Sequence, residues 1–222
     1  IGLVISSILY SIGGGLIEVL VSPIVESLPS DAKASSMSLL HSFYSWGQVL
    51  VVFLSTLALL FVGQDLWFLL PLVWSLLPLF NFFNFMRVPL MPPIEESQRI
   101  PLKTLFKSKI FLIALLLMVC SGASELAMSQ WSSLFAEKGL GITKTLGDIL
   151  GPCLFAVMMG IVRTWYGVRG QKINMQKLLI ICSVLCMASY VITAFSPIPA
   201  ISLLGCALCG LSVSLMWPGM LS

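Results

Sequence analysis

Residues 1–25 read IGLVISSILYSIGGGLIEVLVSPIV, an apolar run broken by one charged side chain, Glu18. A helix of that length spans a bilayer core of about 30 Å. A carboxylate inside such a span costs roughly 2.5–3.5 kcal/mol on insertion scales, so it normally faces a polar cavity between helices. Glu125 repeats the situation in a second apolar run, and His41 lies inside a third. These residues mark where function is expected.

The rest of the chain extends the pattern. Hydrophobic residues make up 58% and charged residues 9% of the 222, against about 25% charged in a soluble domain. Mean hydropathy is +1.03. The charges cluster between apolar stretches instead of lining helical faces, which excludes a soluble core. The net charge of +3 therefore speaks to orientation in the membrane and not to nucleic acid. The fold class is all-α, a polytopic transmembrane helix bundle. All six cysteines fall within apolar runs, where a free thiol behaves as a small hydrophobe. Neither disulfides nor a metal site are expected, and no cofactor is implied. The run begins at Ile1 without a charged leader and is still apolar at Ser222, as in the middle of a longer protein.

At about 20 apolar residues per span, seven helices are expected, over 1–27, 32–62, 66–86, 109–135, 143–163, 174–195 and 199–222. The stretch 87–108, with Pro89, Pro92, Pro93 and several charges, divides 1–86, a group of three helices, from 109–222, a group of four. Basic residues set the orientation. Lys33 follows the first span. Arg87, Arg99, Lys103, Lys107 and Lys109 surround the central stretch, and Arg163, Arg169, Lys172 and Lys177 surround the fifth connector. The alternate connectors carry only Lys138 and Lys144. Loops 28–31, 87–108 and 164–173 are accordingly expected on the cytoplasmic side.

Helical spacing picks out interior faces. Ser11, Gly15, Glu18, Ser22 and Glu26 recur every three or four residues in the first span, with Gly13 and Gly14 adding a small-residue surface. Pro23 is expected to bend this helix. Ser38, His41, Ser45, Gln48 and Ser55 form a stripe in the second span, with Tyr44 beside His41. Counted from their cytoplasmic ends, Glu18 and His41 lie roughly 14 and 15 Å deep. An acid and an imidazole thus share a level, either as a structural ion pair or as a site. Glu125 lies about 24 Å deep, towards the outer third, where it either joins a site or reaches water. Aromatic faces suit sugar C–H surfaces, and amide, imidazole and acid groups suit its oxygens. Tyr44, Trp46, Trp131 and Trp217 supply the first kind; His41, Gln48, Glu125 and Gln130 supply the second.

Several segments resemble the major facilitator superfamily and, within it, the fucose/glucose–galactose:proton symporter group. Gly-Leu-Ile-Glu18-Val-Leu-Val-Ser22-Pro23 is similar to that group's fourth helix, where an acid follows a glycine-rich turn and precedes Asn-Pro. His41-Ser-Phe43-Tyr44-Ser-Trp46-Gly47 resembles its fifth-helix Gln-x-Phe-Asn-x-Phe-Gly. Gly122-Ala-Ser-Glu125 through Trp131 resembles a seventh helix of related sugar permeases. Ser214-Leu-Met-Trp217-Pro218 resembles a tenth-helix Ser-x-x-Phe-Pro. Arg163-Thr-Trp-Tyr-Gly167-Val-Arg169-Gly170 is similar to the superfamily's basic loop between helices eight and nine, without its Asp. His41, Tyr44 and Ser22 depart from the group's Gln, Asn and Asn.

The resemblance implies helices four to ten of twelve and a partial major facilitator fold. It also implies a secondary transporter, not an enzyme, in the cell membrane, monomeric when full length. Its substrate would be a sugar or polyol moved with a proton by alternating access. Glu18 and His41 would serve proton coupling, and Tyr44, Gln48, Glu125, Gln130, Trp131 and Trp217 would contact substrate. Burial and a protonated His41 act on Glu18 in opposite senses, so the pair would tune its protonation. An exporter or carrier of a non-sugar molecule is the alternative. A seven-helix receptor fits the span count but not the central basic linker, and no hydrolase motif accompanies His41.

Overall fold

The computed structural model describes residues 1–29, 33–88, 100–170 and 173–220, the side chain of Gln64 excepted. Helices α1 (Gly2–Ser27) and α2 (Lys33–Val62) are followed by two short helices, α3 (Leu69–Trp74) and α4 (Leu76–Phe85). After α5 (Leu102–Leu105), α6 runs over Lys109–Leu134 and continues through a π turn at Phe135–Gly139. α7 (Lys144–Asp148) joins α8 (Leu154–Arg169) through another π turn, Ile149–Cys153. α9 (Met175–Phe195), α10 (Pro199–Val213) and α11 (Met216–Met220) complete the order. Among the described residues there is no strand, and six helices are long and apolar enough to cross a membrane.

Local chemistry explains the breaks. Pro78 has no N–H for the Trp74 carbonyl, and the apolar stretch Leu69–Phe85 divides there into α3 and α4. That stretch reaches only about 25 Å, short of the full span expected over 66–86. Pro152 similarly sits in the π turn between α7 and α8. Ser108 caps α6 by accepting from the Phe111 N–H at 3.4 Å, and Asn174 caps α9 by accepting from Lys177 N–H at 3.0 Å. Pro199 opens α10, where its missing N–H is harmless. α1 runs helically through Pro23.

One boundary differs from the sequence reading in a way that matters. The fifth span, expected over 143–163, continues as helix to Arg169. Residues 164–169, expected in a loop, are therefore helical, and Arg163 stands inside the bundle with 1% exposure. The expected span ended at Arg163 because that cation closes the apolar run Ile149–Val162. Of the other expected loops, 30–31, 89–99 and 171–172 lie outside the described residues.

Packing is concentrated in the last four spans. Met128, Phe155, Met159, Val213 and Met216 form a core with Cys182, Cys186, Cys206 and Cys209. All six cysteines are free thiols. α10 lies against both α8 and α9, and α2 runs along α8. The α2–α8 seam is built from small residues, which let backbones approach closely. A Cβ on Gly160 would stand 3.1 Å from the Trp46 ring, and one on Gly167 would stand 3.0 Å from Leu39. Ser38 donates across this seam to the Arg163 carbonyl at 2.8 Å, and Trp46 Nε1 donates to Thr164 Oγ1 at 3.0 Å. α1, by contrast, buries no residue and meets the bundle mainly through α2.

Candidate functional site

The polar stripe of α1 faces the bundle. Gly15, Glu18, Ser22 and Glu26 border a cavity of about 470 Å³ with Val19, Pro23, Met37, Met118 and Trp217. Glu26 is paired with Lys33 at 3.0 Å. Gly13 and Gly14 have no neighbour within 4 Å of an added Cβ.

Glu18 and Trp217 also border a second cavity of about 150 Å³, whose other lining residues are His41, Tyr44, Gly122, Glu125, Leu126 and Arg163. Four long helices and α11 meet there. α1 brings Glu18, α2 brings His41 and Tyr44, α6 brings Glu125, α8 brings Arg163 and α11 brings Trp217. Glu18 and His41 form no ion pair, and His41 Nε2 is buried without a hydrogen-bond partner. Trp217 Nε1 is likewise buried and unpartnered. Such groups cost about 1–3 kcal/mol each when left unsatisfied, so a cavity edged by them suits a polar occupant.

Arg163 organises the site. Its Nη2 donates to Glu125 Oε2 at 2.8 Å, and both partners are buried. Nη1 donates to the His41 carbonyl at 3.3 Å and to Ser45 Oγ at 2.9 Å. Nε donates to the Ser214 carbonyl at 2.7 Å. The guanidinium also stands 5.9 Å from the Tyr44 ring centroid, within cation–π range. A buried pair of this kind persists only when its hydrogen bonds are satisfied, and the fork geometry of arginine allows it here. Lysine would supply a point charge and leave acceptors empty.

Of the residues singled out in the sequence, Glu18, His41, Tyr44, Glu125 and Trp217 thus border one cavity. Gln48, two turns beyond His41, is half-buried outside that lining, with its Oε1 unpartnered. Gln130 and Trp131 are exposed on α6, Trp131 to 61%. They follow Glu125 by five and six positions, turned from it by about 140° and 120° at 3.6 residues per turn. Trp46 packs on Gly160 within the α2–α8 seam.

Arg163 was not among the residues expected to act. The available signal was Gly160-x-x-Arg163-x-x-x-Gly167, whose spacing of three and four puts the cation on the small-residue face that helices use to pack. Among the described residues, no group of acids, histidines and cysteines is placed to hold a metal. The arrangement supplies one free carboxyl, one paired carboxyl, an imidazole and two aromatic faces around a space inside a membrane bundle. It can exchange protons and hold a polar solute.

Comparison with curated proteins and with solved structures gives no match. The family model described as Major Facilitator Superfamily matches residues 1–222. That match, with six helices fit to cross a membrane, makes the chain a multi-pass membrane protein belonging to the major facilitator superfamily, whose members are secondary transporters of small molecules.

Proposed function

We propose that this transporter is a proton-coupled symporter of a sugar or related polyol, working by alternating access in the cell membrane. The observation that carries the reading is the position of Glu18. It stands where two cavities meet, inside a membrane span, without an ion-pair partner among the described residues. A carboxyl in that place is costly unless it faces water or solute. The larger cavity falls within the range of about 300–1,000 Å³ usual for small-molecule sites. The smaller one accommodates only a few waters. Substrate therefore occupies the larger space, where Trp217 offers a face to sugar C–H surfaces and Glu18 and Ser22 offer hydrogen bonds, with Tyr44 and His41 in the adjoining smaller cavity.

In this scheme Glu18 takes a proton from outside while the cavity is open. Its neutral form lets the cavity close, and release inside resets it. The bundles are 1–86 and 109–222, joined by 87–108, and they rock about the site; the basic loops lie in the cytoplasm. Glu18→Gln is expected to abolish proton-driven accumulation while sparing substrate exchange, read in proteoliposomes with a panel of hexoses, deoxyhexoses and polyols. Accumulation at the wild-type level in this variant would remove Glu18 from coupling. A second reading, a carrier or exporter of a non-sugar molecule, is favoured by the Val19, Met37 and Met118 lining of the larger cavity. Competition by an apolar amphiphile, with no response to any sugar in the panel, would select it.

A further inference from the structure

A single side chain ties together three of the helices that enclose the smaller cavity, α2, α6 and α8. Through Arg163, α8 is bonded to Glu125 of α6, to His41 and Ser45 of α2 and to Ser214 beyond the end of α10. The Ser214 bond has a specific origin. In an unbroken helix its carbonyl would accept from the residue four positions on, which is Pro218, and proline has no N–H. Leu215, one position later, keeps its bond from Gly219 at 2.9 Å. The guanidinium fills the bond that Pro218 vacates. The break between α10 and α11 is thus held by a charged side chain from another helix. α11 carries Trp217, which borders both cavities.

Glu125 has one engaged oxygen and one open one. Oε2 accepts from Arg163, whereas Oε1 makes no hydrogen bond among the described residues, and the carboxylate borders the cavity that Glu18 also reaches. The groups facing it are Glu18 from α1, His41 and Tyr44 from α2, and Arg163 from α8. α11 contributes the uncharged Trp217.

We propose that Glu125 is a second proton-binding carboxyl, set in the smaller cavity beside the substrate space, and that Arg163 is the positioning residue which passes its protonation to the α10–α11 break. This rests on the proton-coupled reading above. The step is a simple transfer. A hydronium ion entering the cavity breaks one of its O–H bonds as an O–H bond forms on Oε1, and water is left behind; the carboxylate charge is cancelled and the guanidinium keeps its own, so the pair changes from net zero to +1. Arg163 then retains only neutral acceptors. Its hold on α6 weakens, its position relative to Ser214 shifts, and Trp217 moves between the two cavities.

The test uses infrared difference spectra of the full-length protein in lipid nanodiscs, taken between acid and alkaline buffer and read at the protonated carboxyl stretch. Glu18→Gln is expected to remove one component and Glu125→Gln a different one. Glu125→Gln leaves a buried cation without its counter-charge, so Glu125→Gln/Arg163→Gln, which keeps neutral hydrogen-bonding groups, is measured beside it. If every component surviving in Glu18→Gln also survives in both Glu125 variants, the proposal is overturned while the role of Glu18 stands. A pH-dependent change in tryptophan emission, absent in Trp217→Phe, is expected in the wild type and lost in the Glu125 variants. Its persistence in them would break the link through Arg163.

Discussion

Arg163→Leu is expected to leave little folded protein. Removing one member of a buried ion pair strands the other, at a cost of about 3–5 kcal/mol, and the stranded group here is Glu125, 8% exposed. The Ser214 carbonyl loses the donor that stands in for Pro218, and Ser45 Oγ loses its own, while the His41 carbonyl keeps the one from Ser45 Oγ at 3.4 Å. Interhelical hydrogen bonds in membranes average only about 0.6 kcal/mol, so the ion pair dominates the sum. Since typical domains are stable by about 5–15 kcal/mol, such a loss consumes much of the margin. The readout is the yield of monodisperse protein in detergent and its thermal midpoint. A midpoint within experimental error of the wild type would show that Glu125 relaxes into water without Arg163.

A double replacement separates stability from transport. Exchanging both charges for apolar groups of similar volume is often neutral or stabilising, so Arg163→Met with Glu125→Leu is expected to fold better than Arg163→Leu alone. Transport is expected to be lost in both. Rescue of folding without rescue of transport places the pair in the working cycle; rescue of both would make it purely structural.

The sequence carried the membrane class because the signal is thermodynamic and repeated: long apolar runs separated by charged connectors admit no soluble solution. It also set Glu18 and His41 at one level, since both were measured from helix ends close together in sequence, and the two border one cavity. Arg163 closes the expected fifth span, at the membrane edge, because a cation that ends an apolar run ordinarily lies outside the hydrocarbon core. Its burial depends on acceptors supplied from α2, α6 and the end of α10, far away in sequence. Glu125 was set about 10 Å further from the cytoplasmic end than Glu18, yet both reach one cavity. Counting from helix ends assumes that those ends lie in one plane and that helices stand parallel. Gln130 and Trp131 were grouped with Glu125 by nearness in sequence, whereas Ser121, Met128 and Ser132 share its buried face by helical periodicity.

Gly210→Leu is expected to be the most damaging substitution of an uncharged residue. A Cβ at this position would stand 2.2 Å from the Phe155 carbonyl oxygen and 2.9 Å from its carbon. Both are backbone atoms of α8, so no rotamer change removes the clash; the helices must part. Phe155 is fully buried in the core that α8, α9 and α10 share, and separation there opens the packing of Met159, Cys206 and Val213. Overpacking a core costs typically about 1–3 kcal/mol, and a rigid backbone partner puts this site at or above the upper end. Gly210→Ala already introduces the offending atom, so it is expected to lose most of the same stability. Gly13→Ala provides the internal control. It meets nothing within 4 Å and replaces a poor helix former with a good one, so it is expected to hold or raise the thermal midpoint. The comparison is made by thermal unfolding in detergent under one set of conditions. Equal midpoints for Gly210→Ala and Gly13→Ala would mean that α8 and α10 do not approach as closely as their backbones here require.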